Sequence, residues 1–431
     1  MAHFLFVKPC WPYPYSKGDH TYHRIWPPLS LMNCAAVLEQ HGHEAHILDA
    51  HALRLKPQQL FSRLQGYDKI FITSSSLDRW QCPPLDITPF LDTVRAAKQF
   101  TDEVYVMGYH GTADPDKILK LTQAKAVLRG EPEGRIRALG DGKPRPDIPG
   151  LTYFSKDKIM STADGGHLDM RSLPLPAYHR IERRRYSYEI LGNDFALFEF
   201  SRGCPYNCKF CNKTMYGPRL RTKSIQQATL EIQAAVEQHH YRTGYFFDLE
   251  FLADRDLAEG VCDFLISKHY PFQWCCQTRA DSLDGTILNK MKRAGCRLIH
   301  MGIESGQQKY LDLTDKNLRL EQGREAVRMC RSAGIQSLIF LLFGFSGETA
   351  QDRESALRFA RECDPDYVSF HKIFPYREGT FYLADLDKNR DIDRFIRMAI
   401  LRYYLRPGPL RRMNGGALLR SLRLLLGRLK T

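Results

Sequence analysis

No stretch of about 18 uncharged apolar residues occurs in this chain of 431 residues, so no membrane-spanning helix is expected. The opening run, Met1-Ala-His-Phe-Leu-Phe-Val-Lys8, is too short and too soon interrupted for a secretory leader, and reads as a strand. With no leader, and with 12 cysteines at irregular spacing, a reducing compartment is expected rather than a disulfide framework. Acidic residues are missing from one region altogether. From Arg394 to Thr431 there are ten Lys or Arg and no Asp or Glu, so most of the formal charge of +13 lies in the tail. A chain basic throughout would suggest nucleic acid, whereas a basic tail on a near-neutral body points to a local surface. What is present is ample for folded cores: 43% of residues are hydrophobic and 11% aromatic, over a length that suits two or three domains.

The first 140 residues alternate strand and helix signals. Strands are predicted at His3–Val7, Glu44–Leu48, Lys69–Thr73, Glu103–Met107 and Ala126–Leu128. Helices are predicted at Leu29–His41, Pro57–Leu64 and Pro89–Gln99. Such alternation means a doubly wound, Rossmann-like α/β sheet with helices on both faces, whose ligands bind beyond the carboxyl ends of the strands. Ser74-Ser-Ser76, Gly108-Tyr-His-Gly-Thr112 and Arg129-Gly-Glu-Pro-Glu133 fall at those ends. Residues 141–194 read as a connector with a small hairpin (Leu151–Phe154 and Ile159–Met160) and a rigid Leu173-Pro-Leu-Pro-Ala177 linker. From 195 to 383 the rhythm resumes with six strands: Ala196–Phe200, Tyr245–Phe251, Phe272–Thr278, Leu298–Gly302, Ser337–Phe343 and Tyr367–Phe370. Six βα units fit an incomplete barrel with its working face at the strand ends. Residues 384–431 read as a short helical tail.

One stretch of the barrel carries its own chemistry. Cys204, Cys208 and Cys211 follow the first barrel strand at C-x3-C-x2-C spacing, after the turn residues Arg202-Gly-Cys-Pro205. Three thiolates on one loop suit an iron–sulfur cluster, and a cubane of four irons held by three leaves one iron open to a substrate. With Phe210 just before the last cysteine, the pattern resembles the signature of the radical S-adenosylmethionine (SAM) superfamily. The first 140 residues in turn resemble the cobalamin-binding domain that precedes many such cores, on Pro27-Pro-Leu-Ser-Leu31, Leu48-Asp-Ala50, Gly-x-His-Gly-Thr and Gly-Glu-Pro-Glu.

The resemblance implies a [4Fe-4S] cluster on Cys204, Cys208 and Cys211, with SAM chelated at the open iron. Residues for SAM at the barrel strand ends are then Asp248, Glu250, Glu304 and Ser305 as polar contacts. Arg279 would fork onto the SAM carboxylate, Phe210 would pack on adenine, and Gly344 and Gly347 would admit backbone close to the base. For cobalamin it implies Ser74, Ser75, Gly108, His110, Gly111, Thr112, Gly130 and Glu131. Relatives that ligate cobalt with histidine use Asp-x-His-x-x-Gly after the first strand. The nearest match here, Asp49-Ala-His51-Ala-Leu-Arg54, follows the second strand and lacks the glycine, so His51 is read as an ordinary surface or loop histidine.

The activity implied is radical formation from SAM, hydrogen abstraction from an unactivated carbon, and methylation of that carbon from cobalamin. The substrate would be a small or lipid-like molecule and the reductant a flavodoxin- or ferredoxin-like protein. Related enzymes with the same two domains form or contract rings, or oxidise, and that alternative stays open. A methylthiotransferase would need a second cluster, for which Cys10, Cys34 and Cys82 are the candidates; Cys34 sits beside Ala35 and Ala36 in a helix, and no RNA-binding barrel follows the core. The expected location is the cytoplasm, with residues 394–431 suited to the inner face of an anionic membrane.

Overall fold

The computed structural model describes residues 2–11, 24–75, 86–373 and 389–412. Ser76 and Cys82, and the tail from 413 onward, lie outside them. Packing divides the chain into two compact units. The first takes Met1–Tyr188, Asn193–Leu197 and Lys213–Tyr241; the second takes Glu189–Gly192, Phe198–Asn212 and Arg242–Thr431.

The first unit is built on one sheet of seven strands in the order β2-β1-β3-β4-β5-β6-β7. These are β1 (His3–Lys8), β2 (Glu44–Asp49), β3 (Lys69–Thr73), β4 (Val104–Met107), β5 (Ala126–Leu128), β6 (Leu151–Ser155) and β7 (Lys158–Ser161). β1 to β5 are parallel, and their chain order reverses between β1 and β3, which is where such sheets open a crevice. Both faces of β1 are buried, as its unbroken run of apolar residues requires. Phe4 and Phe6 pack under α1 (Leu29–Gln40) and α5 (Glu133–Gly140); Leu5 and Val7 join the opposite core with α2 (Thr88–Ala97) and α4 (Pro115–Thr122). A five-residue α3 (Tyr109–Ala113) lies between β4 and α4.

Two expectations change here. The hairpin assigned to the connector is part of this sheet, since β6 pairs antiparallel with β5 (Val127 opposite Thr152) and β7 with β6. Residues 57–64 form two 3-10 turns, Pro57–Gln59 and Phe61–Arg63, in place of the expected helix.

The second sheet has six strands in chain order: β8 (Phe195–Phe198), β9 (Thr243–Phe246), β10 (Gln273–Thr278), β11 (Cys296–Glu304), β12 (Gln336–Phe343) and β13 (Tyr367–Lys372). Consecutive order with parallel pairing from β9 to β13 is the incomplete barrel that the six βα repeats predict. The helices between strands begin where the sequence caps them. Asp254 accepts from the Leu257 amide ahead of α7 (Arg255–Lys268), and Asp284 from Ile287 ahead of α8 (Gly285–Arg293). Thr349 and Asp352 form a capping box for α11 (Ala350–Cys363). The remaining helices are α6 (Ile225–Gln233), α9 (Gln308–Leu313), α10 (Leu320–Ser332), α12 (Asn389–Tyr404) and α13 (Pro407–Arg412). No helix among the described residues is long and apolar enough to cross a membrane.

Candidate functional site

In the second unit the cysteine loop leaves β8 and returns toward the barrel. Cys204, Cys208 and Cys211 are partly buried and none is in a disulfide. No three His, Cys, Asp or Glu side chains among the described residues are drawn into metal-holding geometry, these thiols included. Their surroundings fit thiolates on electrostatic grounds. The Arg279 guanidinium lies 4.0 Å from the Cys208 sulfur and stacks 4.2 Å from the Tyr206 ring centre. Lys316 stands 5.7 Å from the Phe210 ring centre and 3.0 Å from Glu304.

Lys316 is a residue that strand-end reasoning passed over. It lies in the polar turn Thr314–Asn317 after α9, between Asp315 and Asn317, both of which adopt left-handed backbone with φ of 50°. That turn is fastened to the cysteine loop: the Lys209 amide donates to the Thr314 carbonyl at 2.9 Å, and the Lys209 ammonium pairs with Asp315 at 3.0 Å. Burial opposes the charge on Lys316, but Glu304 and then Cys208 outweigh it, so the ammonium is held above its ordinary pKa.

Glu304 ends β11 at φ 72°, rare for a residue with a side chain, beside a register shift against β12. A Cβ on Gly302 would lie 2.1 Å from the Glu304 carboxylate oxygen and 2.9 Å from the Lys316 nitrogen, so the ion pair fills the space a side chain would take.

The other expected SAM residues fall nearby in the fold, with some roles altered. Asp248 accepts from the Phe200 amide at 3.1 Å and from the Ser201 amide and hydroxyl at 2.5 and 2.6 Å, bracing the start of the cysteine loop. Glu250 accepts from the Thr278 hydroxyl at 2.5 Å. Burial pushes both carboxyls up to about 7. Arg279, expected to fork onto a ligand, instead forks onto Asp281 at 2.7 and 2.8 Å and donates to the carbonyls of Lys316 and Asn317. A buried guanidinium needs its donors satisfied, and the adjacent carboxylate satisfies them. Ser305 accepts from the Gln307 amide at 3.1 Å. Gly344 and Gly347 both adopt positive φ, and the Gly344 amide donates to Glu348 at 2.8 Å.

Alternate residues of the barrel strands build a second layer. Phe246, Trp274, Ile299, Met301, Ile339 and Phe370 lie on the helix-covered face and are buried. On the opposite face Tyr245 shares a 2.9 Å hydrogen bond with His300, whose ring meets Phe340, which meets His371. Ser369 pairs with His371 at 2.7 Å. Phe340, Leu342, Ser369 and His371 are only half-buried, so this inner face is open, mainly aromatic, and carries a few polar groups.

In the first unit, the strand-end residues expected for cobalamin do come together. Gly108 has φ 107°, and a Cβ there would lie 2.8 Å from the Ser74 hydroxyl. His110 contacts that hydroxyl at 3.1 Å through its ring, and Thr112 accepts from the Gly130 amide at 2.9 Å. A Cβ on Gly111 would lie 2.7 Å from Val127. Ser75 is buried with its hydroxyl unpartnered among the described residues, as a group awaiting a ligand amide would be.

Two residues have surroundings that the sequence does not suggest. Glu131 is 1% exposed and both its oxygens are engaged, by Arg221 at 2.5 and 3.0 Å, by the His167 ring and by the Leu168 amide. It anchors the strap that follows the cysteine loop, because a buried carboxylate must find partners. His51 is 1% exposed and so is not a surface residue. Its neighbour Asp49 accepts from Tyr186 at 3.1 Å and lies 3.8 Å from buried Lys8. Cys34 belongs to the core on one face of the sheet and Cys10 packs on the other, which separates two thiols of the alternative second cluster.

Residues 198–360 match the Radical SAM superfamily. Over 364 residues the chain is 25% identical to an uncharacterized methyltransferase of Pyrococcus horikoshii, covering 81% of this chain and 76% of that protein. It is also 25% identical over 392 residues to the anaerobic magnesium-protoporphyrin IX monomethyl ester cyclase of Rubrivivax gelatinosus, covering 86% and 68% respectively. Among solved structures, the radical S-adenosylmethionine methyltransferase TsrM from Kitasatospora setae, with cobalamin and a [4Fe-4S] cluster bound, superposes with a TM-score of 0.70. That match has 18% identity and covers 86% of this chain and 75% of TsrM.

Proposed function

We propose that this chain, whose residues 198–360 are a radical SAM domain, is a cobalamin-dependent radical SAM enzyme that methylates an unactivated carbon of a small, largely apolar or lipid-like molecule. The observation that carries the reading is the cysteine loop at a barrel strand end, faced by Arg279 near Cys208 and by buried Lys316. The named relatives and the TsrM fold support it.

Cys204, Cys208 and Cys211 would hold the cluster, and the strand ends around Ser75, Gly108 and Gly130 would hold the corrinoid. When bound, these groups and SAM supply radical hydrogen abstraction and a transferable methyl group. The protein's own part is binding and orientation. Lys316 and Arg279 keep positive charge beside the thiolate loop. Lys316 and Glu304 present one cation and one anion to the zwitterionic end of SAM. Gly344 and Gly347 allow the backbone past a flat base. The half-buried face of Phe340, Leu342 and His371 suits an apolar substrate positioned by a few hydrogen bonds.

A second reading, a non-methylating cyclase, is favoured by the likeness to the Rubrivivax protein. Anaerobic reconstitution, with a flavodoxin- or ferredoxin-like protein or dithionite as reductant, tests both. The methyltransferase should carry about four irons per chain, show a corrinoid spectrum, and pass label from methyl-labelled SAM into product. Release of 5′-deoxyadenosine with product but no transferred label would favour the cyclase. Retention of the full cluster after Ala replaces all three cysteines would refute the site.

A further inference from the structure

We propose that the outer face of α12 is a docking surface for an anionic membrane leaflet. α12 is anchored by its inner face, where Ile392, Ile396, Ala399, Ile400 and Tyr403 are buried. Tyr403 donates to the Pro365 carbonyl at 2.5 Å, and Arg402 grips Glu354 through both nitrogens. A surface helix fixed in this way should be polar outside. This one is not. Met398 is 49% exposed and Leu405 is 56% exposed, the highest value among the large apolar side chains described. Leu405 lies in the turn just past Tyr404, where its amide donates to the Leu401 carbonyl at 3.0 Å and continues the helical path, so that Met398, half-buried Leu401 and Leu405 follow one side.

The charge around this stripe has one dominant sign. Arg394 lies on the same face one turn before Met398, with Arg397 at its flank, and neither forms an ion pair among the described residues. Asp391, in the first turn, is the acidic group on that face; Asp393 is tied to Lys372 at 2.6 Å. From Arg394 onward the sequence carries ten basic residues and no acidic ones, with seven leucines in the last 14 positions. Exposed apolar groups set among arginines match a lipid interface, where the apolar groups enter the headgroup boundary and the cations meet lipid phosphates. Nucleic acid would use the arginines but leave Met398 and Leu405 without a role.

The test is co-sedimentation of the full chain with vesicles of mixed phosphatidylglycerol and phosphatidylcholine, against pure phosphatidylcholine. Binding to the anionic vesicles at low salt, released as salt rises, is expected. Each basic residue near such a surface strengthens binding about five-fold, so Arg394→Gln with Arg397→Gln should weaken it about 25-fold. Met398→Ser with Leu405→Ser should weaken it further than raised salt alone, and deletion of 413–431 should also reduce it. Unchanged melting temperatures and SAM-cleavage rates show that the α12 variants remain folded, while the deletion and the two vesicle compositions report independently of them. Three results overturn the proposal: no binding to anionic vesicles at low salt, binding indifferent to Met398→Ser with Leu405→Ser, or tighter binding to an RNA duplex that the same arginine changes abolish.

Discussion

Replacing Lys316 with Met removes a buried cation that faces Glu304, Phe210 and the cysteine loop at once. Lys316 and Glu304 are both more than nine-tenths buried and lie 3.0 Å apart. Removing one member of such a pair strands the other without water, and typically costs about 3–5 kcal/mol. For a unit of this size that lowers the melting temperature by about 6 °C or more. Glu304→Gln combined with Lys316→Met removes both charges, so the double variant should be more stable than the sum of the single losses predicts. SAM binding separates this packing effect from a functional one. Calorimetric titration of the reconstituted protein, together with the change in the reduced cluster's EPR spectrum on adding SAM, should show binding lost in Lys316→Met. Lys316→Arg keeps the charge but not the point geometry, and should retain part of it. A Lys316→Met protein that melts with the parent and binds SAM equally well would show that the pair is neither buried nor engaged as described, and would refute the reasoning.

Gly108→Ala places a Cβ on backbone at φ 107°, 2.8 Å from the Ser74 hydroxyl, and should abolish the bound-corrinoid absorbance, whereas His51→Ala should leave it intact. Asp248 and Glu250, pushed up to about 7 by burial, remain protonated in the folded protein at pH values where the unfolded chain has already released their protons. Their contribution to stability should therefore decline as pH rises from about 4 to 7 and stay flat above. Thermal melts of the apoprotein across that range should show this part of the slope disappear in Asp248→Asn with Glu250→Gln.

Much of the architecture was legible because it rests on periodicity. Buried parallel strands announce themselves as short apolar runs, and the thiols of the cysteine loop are specified by local spacing alone. Ser74, Gly108, His110, Thr112 and Gly130 lie together because strand ends converge wherever strands are parallel. What escaped depends on contacts distant in sequence. Lys316 lies in a turn with no pattern of its own, and its place beside Phe210 exists only once Lys209 and Thr314 have met. Arg279 looked available because nothing in the sequence says that Asp281, two residues on, already holds it. Glu131 likewise gave no sign of Arg221, 90 positions later. The hairpin at 151–161 is legible as a pair, but the edge it joins is not, since antiparallel pairing to β5 is a tertiary choice.

Gly302 has a consequence for how this chain can vary over generations. The space beside its Cα is filled by the Glu304 carboxylate and the Lys316 ammonium, so a side chain there requires both to shift. The three positions are therefore coupled through one shared space. A lineage that lost the charges first would open room at 302, while one that gained a side chain at 302 first would have to displace the pair. Descent should leave glycine, glutamate and lysine inherited together or exchanged together.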